Sequence, residues 1–228
     1  MRLSIILILM LSFGSLVFAQ IKVEDVKSFT LANGMKIFVL ADHSISNATM
    51  YIFWKVGSRN EVPGITGLSH FFEHMMFNGA KKYGPKMFDR VMEANGGSNN
   101  AYTSENITAY MDWFPSSAIE IIFDLEADRI ANLAFDDKMI ESERGVVLSE
   151  RITSLENSNW ELLEEQVKGS AFLAHPYRWS VIGYESDIKN WTRIDLEKYF
   201  ETYYAPNNGL VVISGDVDFY EVKELCEK

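Results

Sequence analysis

The stretch that decides the fold is Gly67-Leu68-Ser69-His70-Phe71-Phe72-Glu73-His74-Met75-Met76-Phe77. No helix breaker interrupts it after Gly67, and Leu68, Phe71, Phe72, Met75 and Met76 recur with the spacing of one buried helical face. His70, Glu73 and His74 then share the opposite face at i, i+3 and i+4. Two imidazoles four residues apart stand one turn apart, a separation at which both can grip one ion.

Outward from this helix, Val23 to Leu40 reads as a hairpin. Phe29 and Leu31, then Met35, Ile37 and Val39, alternate around Asn33-Gly34, a strong short turn signal. A third strand is expected at about Ala48 to Val56, and Gly57 to Thr66 reads as a loop with Pro63 and Gly64 in it. Lys86 to Ala94 reads as a short helix, followed by a turn at Asn95-Gly96-Gly97. Asn99 to Thr103 and Ile107 to Phe114 read as an antiparallel pair, the second with Ile107, Ala109, Met111 and Trp113 as its apolar set. Helical patterning fills Ser116 to about Ala174, with Ser116 expected as a cap and Asp136 opening a long helix through Leu155. Thr192 to Tyr204 is a further helix, capped by Thr192 with Asp195 in its first turn. Gly209 to Gly215 is a buried strand, and Tyr220 to Lys228 begins a helix without a stop signal, which suggests a fragment. Strands, then helices, then a strand again predict an α+β fold: a mostly antiparallel sheet with helices packed on one face.

Composition bounds the function. With 47% hydrophobic and 23% charged residues the 228-residue chain is that of a folded globular protein. The formal net charge of −11 argues against a nucleic-acid partner. Arg2 followed by an uncharged run from Leu3 to Phe18, with Val17-Phe18-Ala19 before Gln20, reads as a secretory signal peptide over residues 1–19. The mature domain is then 20–228, secreted or periplasmic, with no stable membrane span once the signal is removed. An uncleaved anchor is the alternative, since the run lies near the lower length for a bilayer span. Cys226 is the only cysteine, so a metal must sit on His and carboxylate.

Zinc fits those donors in a near-tetrahedral arrangement that keeps a position for water. Glu73, beside the two histidines, is in place to hydrogen-bond that water, and is read as the general base and later the acid to the leaving amine. The third ligand comes from elsewhere. Glu143 and Glu150, seven apart on one face of the helix Glu141 to Glu156, are local candidates, although such acidic faces are ordinarily only solvated. His175 before Pro176 reads as structural, and His43 has no partner at ligand spacing.

Five ordered blocks carry a resemblance: GLSHFFEHMMFNGAKKYG, NGGSNNAYTS, ERGVVLSE, HPYRWSVIG and YYAPNNGLVVISGDVD. Together they resemble the amino-terminal half of the insulinase and pitrilysin family, whose inverted pentad marks the inverzincins. The resemblance implies a zinc endopeptidase acting on peptides or unfolded polypeptides, with one Zn2+ per chain. It implies Glu150 as the third ligand beside His70 and His74, and Glu143 as a residue orienting a ligand or water. The strand at Asn99 to Thr103 resembles the edge onto which an extended substrate is laid, with Asn100 and Ala101 as contact positions. Family members pair two homologous halves, so a carboxy-terminal half in cis or a partner subunit in trans is expected. A non-catalytic peptide-binding or assembly subunit is the alternative, though a complete pentad is not what degenerate relatives keep.

Overall fold

The computed structural model describes residues 22–134 and 136–228, so the expected signal peptide lies outside the described residues. Strands β1 (Lys27–Thr30), β2 (Lys36–Ala41) and β3 (Asn47–Trp54) come first, followed by helices α1 (Leu68–Asn78) and α2 (Met87–Ala94). The pair β4 (Ser98–Thr103) and β5 (Thr108–Pro115) leads into α3 (Ile119–Asn132) and α4 (Asp137–Glu150). Helix α4 continues without a break as a π-helical stretch, Arg151–Glu156, and α5 is Asn159–Ala171. The short α6 (Glu185–Asn190), α7 (Arg193–Tyr203), β6 (Gly209–Gly215) and α8 (Phe219–Glu227) complete the chain.

The strands form one six-stranded sheet in the order β1-β2-β6-β3-β5-β4. The pair β2 and β6 is parallel, Ile37 lying opposite Val211, and the other four pairs are antiparallel. The late strand β6 thus inserts between the first hairpin and β3, a placement that neighbours in sequence do not announce. Among the described residues strand β4 has a partner on one side only, which makes it an edge.

One face of the sheet meets the helices. Ile37 and Val39, then Ala48, Met50, Ile52 and Trp54, then Val211 and Ile213 are buried at every second position and join one core with Leu68, Phe71, Phe72, Met75 and Met76 of α1. Each such side chain removed from water contributes about 1.5–3 kcal/mol, so α1 is held by its apolar face and turns the opposite one outward.

Of the apolar set expected for β5 only Ala109 is buried, and elsewhere the phase is reversed. The residues facing the core are Thr108, Tyr110, Asp112 and Phe114, while Met111 is half-buried and Trp113 is 37% exposed. Two of the inward polar groups have hydrogen-bond acceptors of their own, and the third lies near a buried cation. Thr108 Oγ1 donates to the Val56 carbonyl and Tyr110 Oη to the Phe72 carbonyl, and the Arg129 charge opposes that of Asp112. Ser116 is likewise not a helix cap. Its hydroxyl donates to Asp216 Oδ2 at 2.9 Å, and a 3-10 turn at Ser116–Ala118 opens α3. Asp136 and Thr192 do cap their helices, accepting from Met139 N and Asp195 N.

Candidate metal centre

The outward face of α1 carries His70, Glu73, His74, Phe77 and Asn78, all half-buried. Helix α4 runs alongside and brings Glu143 and Glu150 to the two histidines. The donor atoms His70 Nε2, His74 Nε2 and Glu150 Oε2 form a triangle with edges of 3.3, 3.3 and 3.6 Å. A tetrahedral zinc with bonds of about 2.0–2.1 Å requires ligand separations of about 3.4 Å, so the donors fit that ion. Among the described residues these three form the one group of His, Cys, Asp or Glu side chains close enough to hold a metal.

Glu73 is outside that group. Its Oε2 accepts a hydrogen bond of 2.5 Å from Thr103 Oγ1, on the edge strand β4. Burial raises the Glu73 carboxyl above the ordinary carboxylate range, and the Thr103 hydroxyl pulls it back. Glu143 accepts from Asn78 Nδ2 at 2.6 Å and lies 2.7 Å from His74 Nδ1. The second contact orients the ring so that Nε2 points at the centre of the triangle, the usual arrangement of a ligating His with a carboxylate behind it. Burial disfavours charge on both imidazoles. It leads the lowering of His70 to about 4, helped by the nearby His74 charge. At His74 the bonds with Glu143 and Glu150 outweigh burial and raise the ring to about 9.

Strand β4 presents its free edge beside this face. The Ala101 N–H donates to Asn100 Oδ1 at 2.9 Å, so a side chain of the same strand occupies the donor at the two positions singled out from the sequence. Glu73, His74, Phe77, Asn78 and Glu143, with Lys86 and Asp89 of the α2 region, line a depression next to the donor triangle.

Three participants were not foreseen from the sequence. Thr103 lay within a quoted block, and its position in the last residue of β4 was the available signal. Asn78 follows His74 by one helical turn on the same face, a spacing that could have marked it. Glu61 had no local signal. Buried at 2% exposure, it accepts from Gly67 N and Ser69 N, each at 2.8 Å, and so takes the place of a capping residue at the start of α1. Burial pushes its carboxyl up to about 8 against those two bonds. His175 accepts from Tyr177 N in a turn, and His43 contacts Asp216 at 2.6 Å near the surface.

The mixed sheet with helices on one face carries a helical His-x-x-Glu-His set facing a carboxylate on a second helix, the pattern of the inverted zinc pentad. The family model for Insulinase (Peptidase family M16) matches residues 36–184, and the chain belongs to that family. It is 33% identical over 222 residues to the zinc protease PqqE of Helicobacter pylori, covering 97% of this chain and 50% of that protein. It is 31% identical over 199 residues to a probable mitochondrial-processing peptidase subunit beta of Arabidopsis thaliana, covering 87% of this chain and 37% of that one. A crystal structure of a Helicobacter pylori protease superposes with a TM-score of 0.85 at 34% identity over 88% of this chain and 48% of that one. Pitrilysin follows at a TM-score of 0.78 and 26% identity, over 89% of this chain and 22% of that one. The chain therefore spans about half or less of the relatives it matches. Among the described residues no helix is long and apolar enough to cross a membrane.

Proposed function

We propose that this chain is the metal-bearing half of a zinc endopeptidase for peptides or unfolded polypeptides. His70, His74 and Glu150 hold one Zn2+, and Glu73 is the general base. The observation that carries the reading is the division of labour on α1: two imidazoles join Glu150 in a zinc-sized triangle, whereas Glu73 is held off by Thr103 of the edge strand.

When bound, zinc supplies a Lewis acid that polarises the scissile carbonyl and acidifies water. The chain's own residues do the rest. An extended peptide pairs with the free edge of β4, displacing the Asn100 amide from the Ala101 N–H, so that Asn100 and Ala101 bind backbone with little dependence on sequence. Thr103, two residues along that strand from Ala101, fixes one oxygen of Glu73 and leaves the other free to accept a proton from the attacking water. Glu73 then passes that proton to the leaving nitrogen. Glu143 keeps His74 turned toward the ligand centre. A second homologous half, in cis or on a partner subunit, completes the binding chamber. The uncharged run from Leu3 to Phe18 after Arg2 supports a secreted or periplasmic location.

The test is metal content and cleavage of an unfolded polypeptide by the chain together with its second half. About one zinc per chain is expected, lost in His70→Ala and Glu150→Ala. Glu73→Gln should keep the zinc and lose hydrolysis. A folded chain without zinc overturns the reading, and loss of zinc in Glu73→Gln makes Glu73 a ligand instead.

A further inference from the structure

The two metal-bearing segments, the start of α1 and the end of α4, are tied to one short piece of backbone between Ile182 and Trp191. On the α1 side the fit is backbone against backbone. Gly67 (φ +89°) precedes His70 by three residues, and a Cβ there would lie 2.4 Å from the Ile182 carbonyl oxygen. Gly183 (φ +84°) faces it, and a Cβ there would lie 2.4 Å from the Thr66 carbonyl oxygen and 2.6 Å from Gly67 N. Both positions need glycine for conformation and for space. Thr66 then donates its hydroxyl to Asp187 Oδ2 at 2.7 Å, accepts from Tyr184 N at 2.9 Å, and its carbonyl takes the Trp191 indole N–H at 3.2 Å.

On the α4 side the ties are guanidinium groups. Arg151, the residue after Glu150, donates from Nη1 to the Gly183 carbonyl at 2.6 Å and forms a two-point pair with Glu165 at 3.1 and 3.0 Å. Arg151 and Glu165 are only 7% and 8% exposed. Arg144, the residue after Glu143, donates to the Ile188 and Trp191 carbonyls that end α6, the latter at 2.8 Å. Gly183 therefore packs by its Cα against the lead into His70 and holds the neighbour of Glu150 through its carbonyl.

We propose that the Ile182–Trp191 segment is a brace that presets the separation of the two-histidine helix and Glu150, and that Arg151 is the positioning residue that couples Glu150 to it. The proposal rests on the zinc reading of the His70, His74 and Glu150 triangle. Removing the tie leaves all three ligands in the chain but frees α4 to drift against α1, and a tetrahedral ion is sensitive to such displacements.

The test uses the full chain as wild type, as Arg151→Lys, and as the double variant Arg151→Met with Glu165→Met. The double variant replaces the buried ion pair with an apolar pair, a change that commonly preserves the fold, and it removes the Gly183 hydrogen bond. Zinc affinity is read by competition with a chromophoric chelator, and ligand geometry by the visible spectrum of the Co2+-loaded chain. The folded state of each protein is checked by circular dichroism. Expected is a zinc affinity about 10–100-fold weaker in the double variant, with a changed Co2+ spectrum and an unchanged circular dichroism. Arg151→Lys, which keeps charge but cannot bond Glu165 at two points and Gly183 together, should fall between. A folded variant with zinc affinity within twofold of wild type and the same Co2+ spectrum overturns the brace alone. A wild-type chain that binds no zinc overturns the brace and the zinc reading together, and the two failures are thereby distinct.

Discussion

Arg129 is a buried charge of the core, lying over Phe77 of α1. It is 3% exposed, donates from Nε and Nη2 to the two Glu126 oxygens at 2.6 and 2.5 Å, and lies over the rings of Phe88, Tyr110 and Phe77 at 4.3, 4.7 and 5.4 Å. Asp112, 1% exposed, is held well above its ordinary range by burial first and by the Glu126 charge next, with Arg129 opposing both. Arg129→Met keeps the volume near these rings but leaves two buried acids without a cation. Breaking a buried pair in this way costs about 3–5 kcal/mol, a large part of the stability of a typical domain.

The pH dependence has a definite sign. The Asp112 carboxyl is raised in the folded state, so its favourable contribution is complete below its unfolded pKa and is lost as pH rises through the folded value. Without Arg129 the folded value moves further up, and each further unit adds about 1.4 kcal/mol of penalty at high pH. The deficit of Arg129→Met should thus be smaller on the acid side than on the alkaline side, measured by urea unfolding of wild type and variant at pH 4.5 and pH 8. Adding Glu126→Met should recover most of it at pH 8. A deficit below about 1 kcal/mol at pH 8, or one that does not shrink on acidification, would refute the account of this cluster.

Two further outcomes test the site itself. Glu143→Gln should weaken zinc binding about 10–100-fold without abolishing it, since His74 loses its orienting carboxylate while all three ligands remain; equilibrium dialysis with 65Zn2+ reads this. Ala101→Pro removes the N–H that Asn100 now occupies on an edge where proline is tolerated, and should raise KM at least several-fold with zinc content unchanged. An unaltered KM would place substrate elsewhere than on β4.

Much of this was legible locally. The α1 pattern is self-contained: five apolar residues at helical spacing determine which face is buried, and the histidines at i and i+4 must then project together from the other. The Asn33-Gly34 hairpin, the β4 and β5 pair and the Asp136 and Thr192 caps are local for the same reason, since turn and cap chemistry acts over two to four residues. The reversed phase of β5 was not legible, because Asp112 and Tyr110 become acceptable core residues only when Arg129 of α3 and the Phe72 carbonyl of α1 stand opposite them.

The amino-acid order by itself determined the helix α1, the common face of its two imidazoles and the candidate base. Residue spacing left Glu143 and Glu150 open, and only the family resemblance pointed to Glu150 and to an edge at β4. Tertiary structure alone decided that Thr103 holds Glu73 and that Gly183 links the start of α1 to the end of α4. These placements depend on contacts between residues from 30 to more than 100 positions apart, and periodicity carries no information about partners at that range. What brings them together is the burial of one sheet face and one side of α1, which leaves the polar side of α1 a single place to lie.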